Sequence, residues 1–444
     1  FTLLQHGKRG LCDADKKDGG TEPYTEQQET NVRDELHCKY RYYLAFRGKG
    51  QKPPAVVTSS FFTTMPADLT AIYDRVYSYA EARGFSGFDP FDGLNSRLFQ
   101  ATPIKNYRLP RLFLTQLVKR SPVNLRPLLM IDSGVNPKGV ALFALGEMSR
   151  YRLTRNERHR ENARELLDRL FALGIRTEHT LAYGYNFDWQ SRVFFAPKGT
   201  PAIVPTAFAS QAFYEAAELF DDERYSRALD EIAAFVVNGL NRPVETGDEI
   251  CFSYTPLDES VIFNASLLAG ECLMRSSDPL DHELALKALN FVVRRQRDDG
   301  AWSYGDEAYQ GWVDNFHTAY VLQSMRRIAD VVGTHKEVGA GYEKGMGYWV
   351  DNFFLDDGTP KYYDHKTYPA DIHSAAVAIA ALSELGEIQL ARKVADWTLS
   401  HMLDVDNFFY YQLDRYLVNQ TPFMRWGQAW MAYAVARLIE AQGR

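Results

Sequence analysis

Two histidines each follow an aspartate by two or three residues at a predicted helix start. Asp314 precedes His317 in the segment WVDNFHTAY, and Asp371 precedes His373 in the segment PADIHSAA. Because an imidazole titrates near neutral pH and a nearby carboxylate can orient it, such pairs can transfer protons. An aspartate before a helix is also a common N-cap, which accepts hydrogen bonds from backbone N–H groups, so a structural role is the alternative. We predict these four residues as catalytic candidates and keep both interpretations open.

Aromatic and charged residues alternate in the segments that precede several of the predicted helices. The segment GYNFDWQSR contributes Tyr185 and Asp188 as further catalytic candidates. Flat aromatic rings with a polar edge bind sugar rings, and amide or guanidinium groups can neutralise a substrate carboxylate. The residues that we expect to bind substrate are Trp189, Arg192, Tyr254, Asn264, Trp302, Trp312, Tyr363, Arg425 and Trp426. Each tryptophan has a structural alternative, in which it only packs its loop onto the helices.

These residues fit two kinds of carbohydrate chemistry. Hydrolysis of a glycosidic bond needs two carboxylates on either side of the sugar, one of them protonated. The carboxylates available for it are Asp188, Asp258, Glu259, Asp314 and Asp371. Elimination or epimerisation at a uronate needs a base, an acid such as Tyr or His, and groups that neutralise the carboxylate. The histidine spacings differ from the i, i+4 pair of helical zinc sites, so we predict no metal and no cofactor.

Two kinds of helix alternate from residue 66 onward. The first kind has one apolar and one charged face, as in residues 222–240 (DERYSRALDEIAAFVVNGL). The second kind is small, apolar and nearly uncharged over its first turns, as in residues 371–386 (DIHSAAVAIAALSELG). A helix with one apolar face lies at the surface, whereas a helix that is apolar all round is buried. The pattern therefore predicts outer helices alternating with inner ones.

The inner helices recur at a nearly constant spacing. A polar residue marks the first turn of five of them: Thr206, Asn264, His317, His373 and Gln428. The steps between these markers are 58, 53, 56 and 55 residues. A period of this size that contains two helices indicates one stacked supersecondary unit. Six such units predict an all-α fold, an (α/α)6 toroid, with an open superhelix as the alternative.

The connections between the helices are unequal in length. Links from inner to outer helices are short, whereas links from outer to inner helices are long, as at residues 297–314. The long loops are therefore expected at one end of the ring, over the N-termini of the inner helices, where loops around a concave mouth commonly form a binding site. The first unit has a longer insertion, residues 85–135, with an extra helix predicted at 108–120.

Composition excludes several classes of function. Hydrophobic residues make up 45 % of the 444-residue chain, enough for a large core, and the net charge of −7 disfavours nucleic acid as a partner. No apolar run has the length of a transmembrane segment. The cysteines lack zinc or C-x-x-C spacing and are predicted to be free thiols: Cys12, Cys38, Cys251 and Cys272.

The first 60 residues differ from the rest of the chain. They contain runs of Lys, Asp, Gly and Gln, and their apolar periodicity is poor. We predict a poorly structured extension over residues 1–60 and the toroid domain over residues 61–444. No signal peptide is visible, which favours the cytoplasm without fixing the compartment.

Two resemblances add to these expectations. Gln296, Gly300 and Trp302 match the Q-x-x-x-G-x-W pattern of terpene cyclases and related α-toroids, but the acidic D-x-D-D motif is absent, which argues against terpene chemistry. The segments GYNFDWQSR, PKGTPAIVPTAF and WVDNFHTAYVLQSM resemble bacterial (α/α)6-toroid proteins of polysaccharide-biosynthesis gene clusters. That family is similar to six-hairpin glycosidases and toroid polysaccharide lyases. The resemblance implies a carbohydrate context and polysaccharide assembly proteins as further partners, and it carries over no catalytic residue.

Three functional hypotheses follow. The leading one is an enzyme that processes a poly- or oligosaccharide in the toroid funnel, with glycoside hydrolysis slightly favoured and Asp314 and Asp371 as its carboxylates. The second is a uronate polysaccharide lyase or C5-epimerase that uses Tyr and His. The third is a non-catalytic glycan-binding subunit of polysaccharide biosynthesis.

Overall fold

A computed structural model describes residues 68–191, 194–333 and 335–443. The predicted extension, residues 1–60, lies outside the described residues, and so does the candidate Arg192. The predicted domain of residues 61–444 is described from Asp68 onward.

Long helices dominate this part of the chain. In chain order they are α1 (Leu69–Glu81), α2 (Pro137–Thr154), α3 (Glu157–Ala172), α4 (Ile203–Leu219), α5 (Glu223–Gly239), α6 (Phe263–Met274), α7 (Pro279–Val293), α8 (Asn315–Val332), α9 (His335–Phe353), α10 (Ile372–Leu385), α11 (Ile388–Met402) and α12 (Trp430–Gly443). A π-helical turn, Met424–Ala429, leads into α12. The shorter helical segments are Asp92–Asn95, Arg97–Gln100, Pro103–Asn106 and Ala308–Gln310.

The even-numbered helices form a closed inner ring. Each of them packs against the inner helices before and after it, and α12 packs against α2. Each odd-numbered helix covers the ring from outside, and α1 packs against α12, so the first described helix completes the last hairpin. The predicted (α/α)6 toroid is confirmed, and the open superhelix is wrong because the ends of the ring meet.

The burial of the helices follows their residue patterns. In the inner helix α10, every residue from Ile372 to Ser383 is buried, and its many alanines let neighbouring helices approach closely. The outer helix α5 buries one stripe at helical spacing and exposes its charged face. The buried stripe of α5 is Tyr225, Ala228, Leu229, Ile232, Ala233, Phe235 and Val236.

Short antiparallel strands shape the long loops. Four two-stranded pairs are Ser86–Gly87 with Gly134–Val135, Ile175–Arg176 with Leu181–Ala182, Trp189–Gln190 with Phe195–Ala196, and Val244–Glu245 with Ile250–Cys251. A three-stranded sheet consists of Ala370–Asp371, Gln412–Leu413 and Val418–Asn419, with the second strand in the middle. This sheet ties the loop before α10 to the loop that leads into α12.

The insertion of the first unit has its own small core. Its helix, Arg108–Arg120, confirms the prediction and is called the insertion helix below. Leu94, Phe99, Leu114, Val118 and Ile131 form a hydrophobic cluster separate from the main core. The insertion is therefore a packed subdomain at the loop end of the ring.

The end opposite the long loops carries buried ion pairs. Glu215 of α4 lies 2.7 Å from Arg152 of α2 and 2.9 Å from Arg437 of α12. Glu271 of α6 lies 3.1 Å from Arg327 of α8. These pairs connect the C-terminal halves of inner helices, including α4 and α12, which are not adjacent in the ring. None of the described helices is both long and apolar enough to span a lipid bilayer.

Candidate functional site

A cavity of about 300 Å³ opens where the inner helices begin, under the long loops and beside the insertion helix. It gathers residues that are distant in sequence but equivalent in the repeat. The predicted residues that line it are Tyr185, Trp189, Tyr254, Asn264, Trp312, Asp314, His317, Tyr363, His373, Arg425 and Trp426. The volume lies at the lower end of the range for ligand sites and suits a short saccharide unit.

Asp314 and His317 form a hydrogen-bonded pair at the start of α8. Asp314 caps the helix by accepting the backbone N–H of His317, and its other oxygen lies 2.7 Å from His317 Nδ1. The indole of Trp312 also donates to this carboxylate, at 3.1 Å. Because a carboxylate accepts hydrogen bonds, Nδ1 carries a proton, and in the neutral imidazole the lone pair is on Nε2. The imidazole is 22 % exposed, whereas the carboxylate is buried, so the pair presents Nε2 to the cavity.

His373 has a different environment, although it occupies the equivalent position on α10. Its ring is buried and stacks on Trp426 at 3.9 Å between ring centroids. Its Nδ1 donates to the carbonyl of Trp426, and its Nε2 accepts from the hydroxyl of Tyr320, which in turn accepts from Lys138. Burial lowers the pKa of His373 well below its usual value, with Lys138 adding to the effect. Both ring nitrogens are occupied, so the cavity floor holds a neutral imidazole in a fixed tautomer.

Asp371 does not reach the cavity. It is fully buried, caps α10 through the backbone N–H of His373, and accepts hydrogen bonds from Gln412 and Trp426. Burial raises the pKa of its carboxyl group. The expectation that Asp314 and Asp371 face one substrate together is not met, because the N-cap geometry turns Asp371 towards the loop sheet. Its contacts are those of a residue that positions Trp426 and the loop.

Asp188 and Trp302 also lie outside the cavity lining. Asp188 accepts the backbone N–H of Lys198 and the amide of Gln100, which joins the loop before α4 to the insertion. Trp302 is 2 % exposed, and its indole donates to the carbonyl of Val292. The Q-x-x-x-G-x-W residues thus pack a loop against α7 and α9. This agrees with the structural alternative for Trp302, in which it only packs its loop onto the helices.

Aromatic side chains form the walls of the cavity. The hydroxyls of Tyr185 and Tyr254 lie 2.7 Å apart, and Trp189 packs against both rings. Burial raises the pKa of Tyr185 and raises that of Tyr254 well above its usual value. Both phenols are therefore protonated at neutral pH. Across the ring, Tyr304 stacks on Trp312 at 4.6 Å, next to His317.

The insertion helix supplies cations that the sequence analysis missed. Lys119 and Arg120, from its last turn, line the cavity, and the Lys119 ammonium lies 4.2 Å from the ring centroid of Phe91. Burial lowers the pKa of Lys119 to about 8. Lys138 also lines the cavity, and burial lowers the pKa of its ammonium group well below the usual value. The basic end of the predicted helix was visible in the sequence, but its orientation was not.

Arg425 is held by a carboxylate of the insertion. Its Nε and Nη2 donate to the two oxygens of Asp89 at 2.6 and 2.8 Å. Asp89 is buried, as is the nearby pair of Arg126 and Asp92. The guanidinium therefore lines the cavity as a compensated charge and locks the insertion to the turn before α12.

Three buried side-chain polar atoms of the described lining residues have no protein partner. They are the hydroxyl of Thr115, the carbonyl oxygen of the Asn264 side chain and the amide nitrogen of Gln310. A buried polar atom without a partner costs free energy, which a ligand recovers by hydrogen bonding to it. One acceptor and one donor of this kind suit a hydroxyl-bearing ligand. Among the described residues, no group of three or more His, Cys, Asp or Glu side chains is arranged to hold a metal ion.

Comparison with solved structures places this geometry among known folds. The cellobiose 2-epimerase of Bacillus thermoamylovorans aligns with a TM-score of 0.56 at 10 % identity, over 69 % of this chain and 88 % of that chain. The GH76 α-mannanase of Bacteroides thetaiotaomicron aligns with a TM-score of 0.53 at 10 % identity, over 69 % and 86 % of the two chains. A polysaccharide lyase aligns with a TM-score of 0.51 at 10 % identity, over 83 % and 96 %.

The chain has the fold of six-hairpin toroid enzymes. The expected resemblance to them is confirmed at the level of the fold, and at these identities it extends no further. No protein-family model matches the sequence, and no curated protein matches it.

Proposed function

We propose that the protein is an enzyme that removes a carbon-bound proton from an anionic sugar, and so eliminates or epimerises at a uronate residue of an oligo- or polysaccharide. The observation that carries the proposal is the Asp314–His317 pair, which presents a basic nitrogen to a cavity whose other ionised lining groups are cations. The solved structures that this chain resembles in fold are carbohydrate-processing toroid enzymes of several reaction classes, which agrees with a saccharide as the substrate.

His317 is the proposed base. Hydrogen bonding of Nδ1 to Asp314 fixes the tautomer in which Nε2 can accept a proton, and the same carboxylate stabilises the imidazolium that forms. The base takes the proton from the carbon next to the substrate carboxylate, leaving the electron pair delocalised onto that carboxylate. Neutralisation of the carboxylate is required for this step, because it lowers the energy of the intermediate.

Tyr185 and Tyr254 are the proposed acids. Their shared hydrogen bond uses one phenolic proton, which leaves the other for a ligand. In elimination, this proton goes to the oxygen of the leaving sugar as its bond to carbon breaks. In epimerisation, a proton returns to the same carbon from the opposite face. A pKa raised by burial keeps both groups protonated until they are needed.

Lys119 and Arg120 are the proposed carboxylate-binding groups. Both line the cavity. Asp314 is the only carboxylate among the described lining residues, and it pairs with His317. The donor of Gln310 and the acceptor of Asn264 are proposed to bind the hydroxyls of the sugar.

Hydrolysis, which the sequence slightly favoured, receives less support than proton abstraction. It needs two carboxylates facing each other across the sugar. Among the described residues, Asp314 lines the cavity, while Asp188, Asp258, Glu259 and Asp371 do not. Glycan binding without catalysis is the second candidate function. The aromatic walls of the cavity favour glycan binding whether or not a reaction follows. Polysaccharide assembly proteins as further partners stay a prediction.

The experiment is incubation of the full chain with uronic-acid and neutral oligosaccharides in heavy water, followed by mass analysis. Uptake of one deuteron without cleavage supports epimerisation, and cleavage without added water, with a new ultraviolet absorbance, supports elimination. Cleavage with added water would overturn the proposal in favour of hydrolysis. Binding without any change of mass would support the glycan-binding candidate.

A matched pair of variants assigns the base. His317→Gln should abolish the reaction. His365→Gln is the control, because His365 also lies 2.7 Å from an aspartate, Asp364, but is exposed outside the cavity lining. Equal loss in both variants, or full activity of His317→Gln, would contradict the assignment.

A further inference from the structure

The insertion exposes an unusual amount of apolar surface. Nine of the twenty large apolar side chains that are exposed in the described part of the chain lie within residues 98–130. Leu109, Phe113 and Leu117 of the insertion helix are 76 %, 69 % and 44 % exposed. Their spacing of four residues places them on one face of the helix, here called the apolar stripe. Concentrated exposed apolar surface is typical of an interaction site.

The apolar stripe is held rigidly. The other faces of the insertion helix bury Leu114 and Val118 in the small core and place Lys119 in the cavity wall. Two buried ion pairs, Arg126–Asp92 and Arg425–Asp89, fix the base of the insertion. The other faces of the insertion helix are packed inside the fold, so the apolar stripe is the face that is left exposed to solvent.

The charge of the same segment selects the kind of partner. Residues 97–131 contain no Asp or Glu and seven Lys or Arg, in a chain whose net charge is −7. The basic residues are Arg97, Lys105, Arg108, Arg111, Lys119, Arg120 and Arg126. Leu and Phe on one face of a helix, with basic residues around them, are characteristic of helices that lie in the interface of an anionic membrane.

We propose that the insertion docks the mouth of the toroid onto the surface of an anionic lipid bilayer. The apolar stripe enters the boundary between headgroups and acyl chains. Basic side chains that lie outside the cavity lining and are not buried, among them those of Arg97, Lys105 and Arg108, bind the lipid phosphates. The negative charge of the remaining chain orients the molecule, because repulsion keeps its other surfaces away from the bilayer. The cavity, which the same helix borders, then opens beside the membrane. The evidence for docking is the exposed surface of the insertion, and it does not depend on the proposed reaction.

The test is co-sedimentation of the full chain with vesicles of phosphatidylcholine alone and of phosphatidylcholine mixed with phosphatidylglycerol. We expect binding to the mixed vesicles, weak binding to the neutral ones, and loss of binding as salt screens the charges. Because the double variant Leu109→Asp/Phe113→Asp removes the burial of two large apolar side chains, it should bind at least about tenfold more weakly.

The matched control is Leu280→Asp/Val331→Asp. These residues are 65 % and 52 % exposed and lie at the opposite end of the ring, where α7 begins and α8 ends. The control should bind as the unmodified chain does, and both double variants should keep its melting temperature, since every changed side chain is exposed.

Three outcomes would overturn the proposal. Undiminished binding of the stripe variant would place the membrane contact elsewhere. Failure of the full chain to bind mixed vesicles, with a molecular mass in sedimentation velocity that falls in the stripe variant, would show that a second copy of the chain covers the stripe. Failure to bind with an unchanged mass would show that another partner, or residues 1–67 of the same chain, covers it.

Discussion

His317 Nδ1 lies 2.7 Å from Asp314 Oδ2, and the other oxygen of the same carboxylate caps the helix that carries the histidine. The N-cap and the catalytic interpretation of Asp314 are thus compatible, because one carboxylate has two oxygens. The cap fixes the carboxylate relative to the backbone, and the carboxylate fixes the imidazole. Local helix chemistry in this way orients the proposed base without help from a distant element.

Asp314→Asn should separate the two roles. Asn is as good an N-cap as Asp, so α8 should still form. The Asn amide would donate to Nδ1, which would move the imidazole proton to Nε2 and remove the base. We expect the deuterium-uptake rate on a uronate oligosaccharide to fall roughly 10²- to 10⁴-fold. The free energy of unfolding should fall by only about 1–3 kcal/mol, because the Trp312 indole loses its acceptor.

The control for this variant is Asp364→Asn, which makes the same change beside His365 outside the cavity. It should leave the uptake rate unchanged. If Asp314→Asn retained the full rate while remaining folded, the base would have to be another residue.

Asp371→Asn should affect stability and substrate binding more than the rate of the reaction. The carboxylate accepts from the side chains of Gln412 and Trp426, and the Asn amide cannot accept from both. We expect the free energy of unfolding to fall by about 1–3 kcal/mol through the unpaired donors. Because Trp426 lines the cavity, KM should rise while kcat changes little. A fall of kcat as large as that of Asp314→Asn would indicate that Asp371 takes part directly in the reaction.

The fold could be predicted from the sequence because the repeat encodes it. Apolar inner helices such as α10 and one-faced outer helices such as α5 differ in hydrophobic pattern, and the near-constant spacing of Asn264, His317 and His373 gives the number of units. Closure of the ring could not be derived from one repeat alone. It depends on the packing of α12 against α2, which are far apart in the chain.

The site could be predicted only in part. The repeat placed His317 and His373 at equivalent positions, yet their surroundings differ. His373 bonds to Tyr320 of another inner helix, and Tyr320 in turn accepts from Lys138 of a third. Trp302 resembled a cavity tryptophan in composition, but its loop turns it towards Gly345, where an added Cβ would lie 2.5 Å from the ring. Side-chain direction within an irregular loop follows from long-range packing, which spacing does not encode.

Lys119 should make the binding of an anionic saccharide dependent on pH. Burial lowers the pKa of its ammonium to about 8, so the charge is present at neutral pH and lost as the pH rises through that value. We expect the Kd of a uronate oligosaccharide, measured by calorimetry, to increase over this range. The Kd of a neutral oligosaccharide should not change.

Lys119→Arg is the matched variant, because a guanidinium stays charged throughout. It should remove the pH dependence while retaining binding at neutral pH. An unchanged pH dependence in this variant would mean that another group titrates.

Glu215 should make the free energy of unfolding depend on pH in the acidic range. Burial opposes its ionisation, but Arg437 and Arg152 outweigh this and lower the pKa of Glu215 to about 2, from a usual value of 4.5. Since the pKa of this acid is lower in the folded state, its stabilisation is complete above the unfolded pKa. It is lost as the pH falls from about 4.5 towards about 2. The shift corresponds to roughly 3 kcal/mol.

The measurement is the free energy of unfolding as a function of pH, in the native chain and in two variants. Glu215→Gln should be destabilised at neutral pH by roughly 3 kcal/mol, because its two arginine partners, whose guanidiniums are partly buried, each lose one of their two carboxylate partners and keep Glu440. Its stability should depend less steeply on pH below about 4.5 than that of the native chain. Glu157→Gln is the control, since Glu157 pairs with Arg160 at the surface and is 61 % exposed, where an ion pair contributes little. If both variants behaved alike, the buried pairs between α2, α4 and α12 would not be what stabilises that end of the ring.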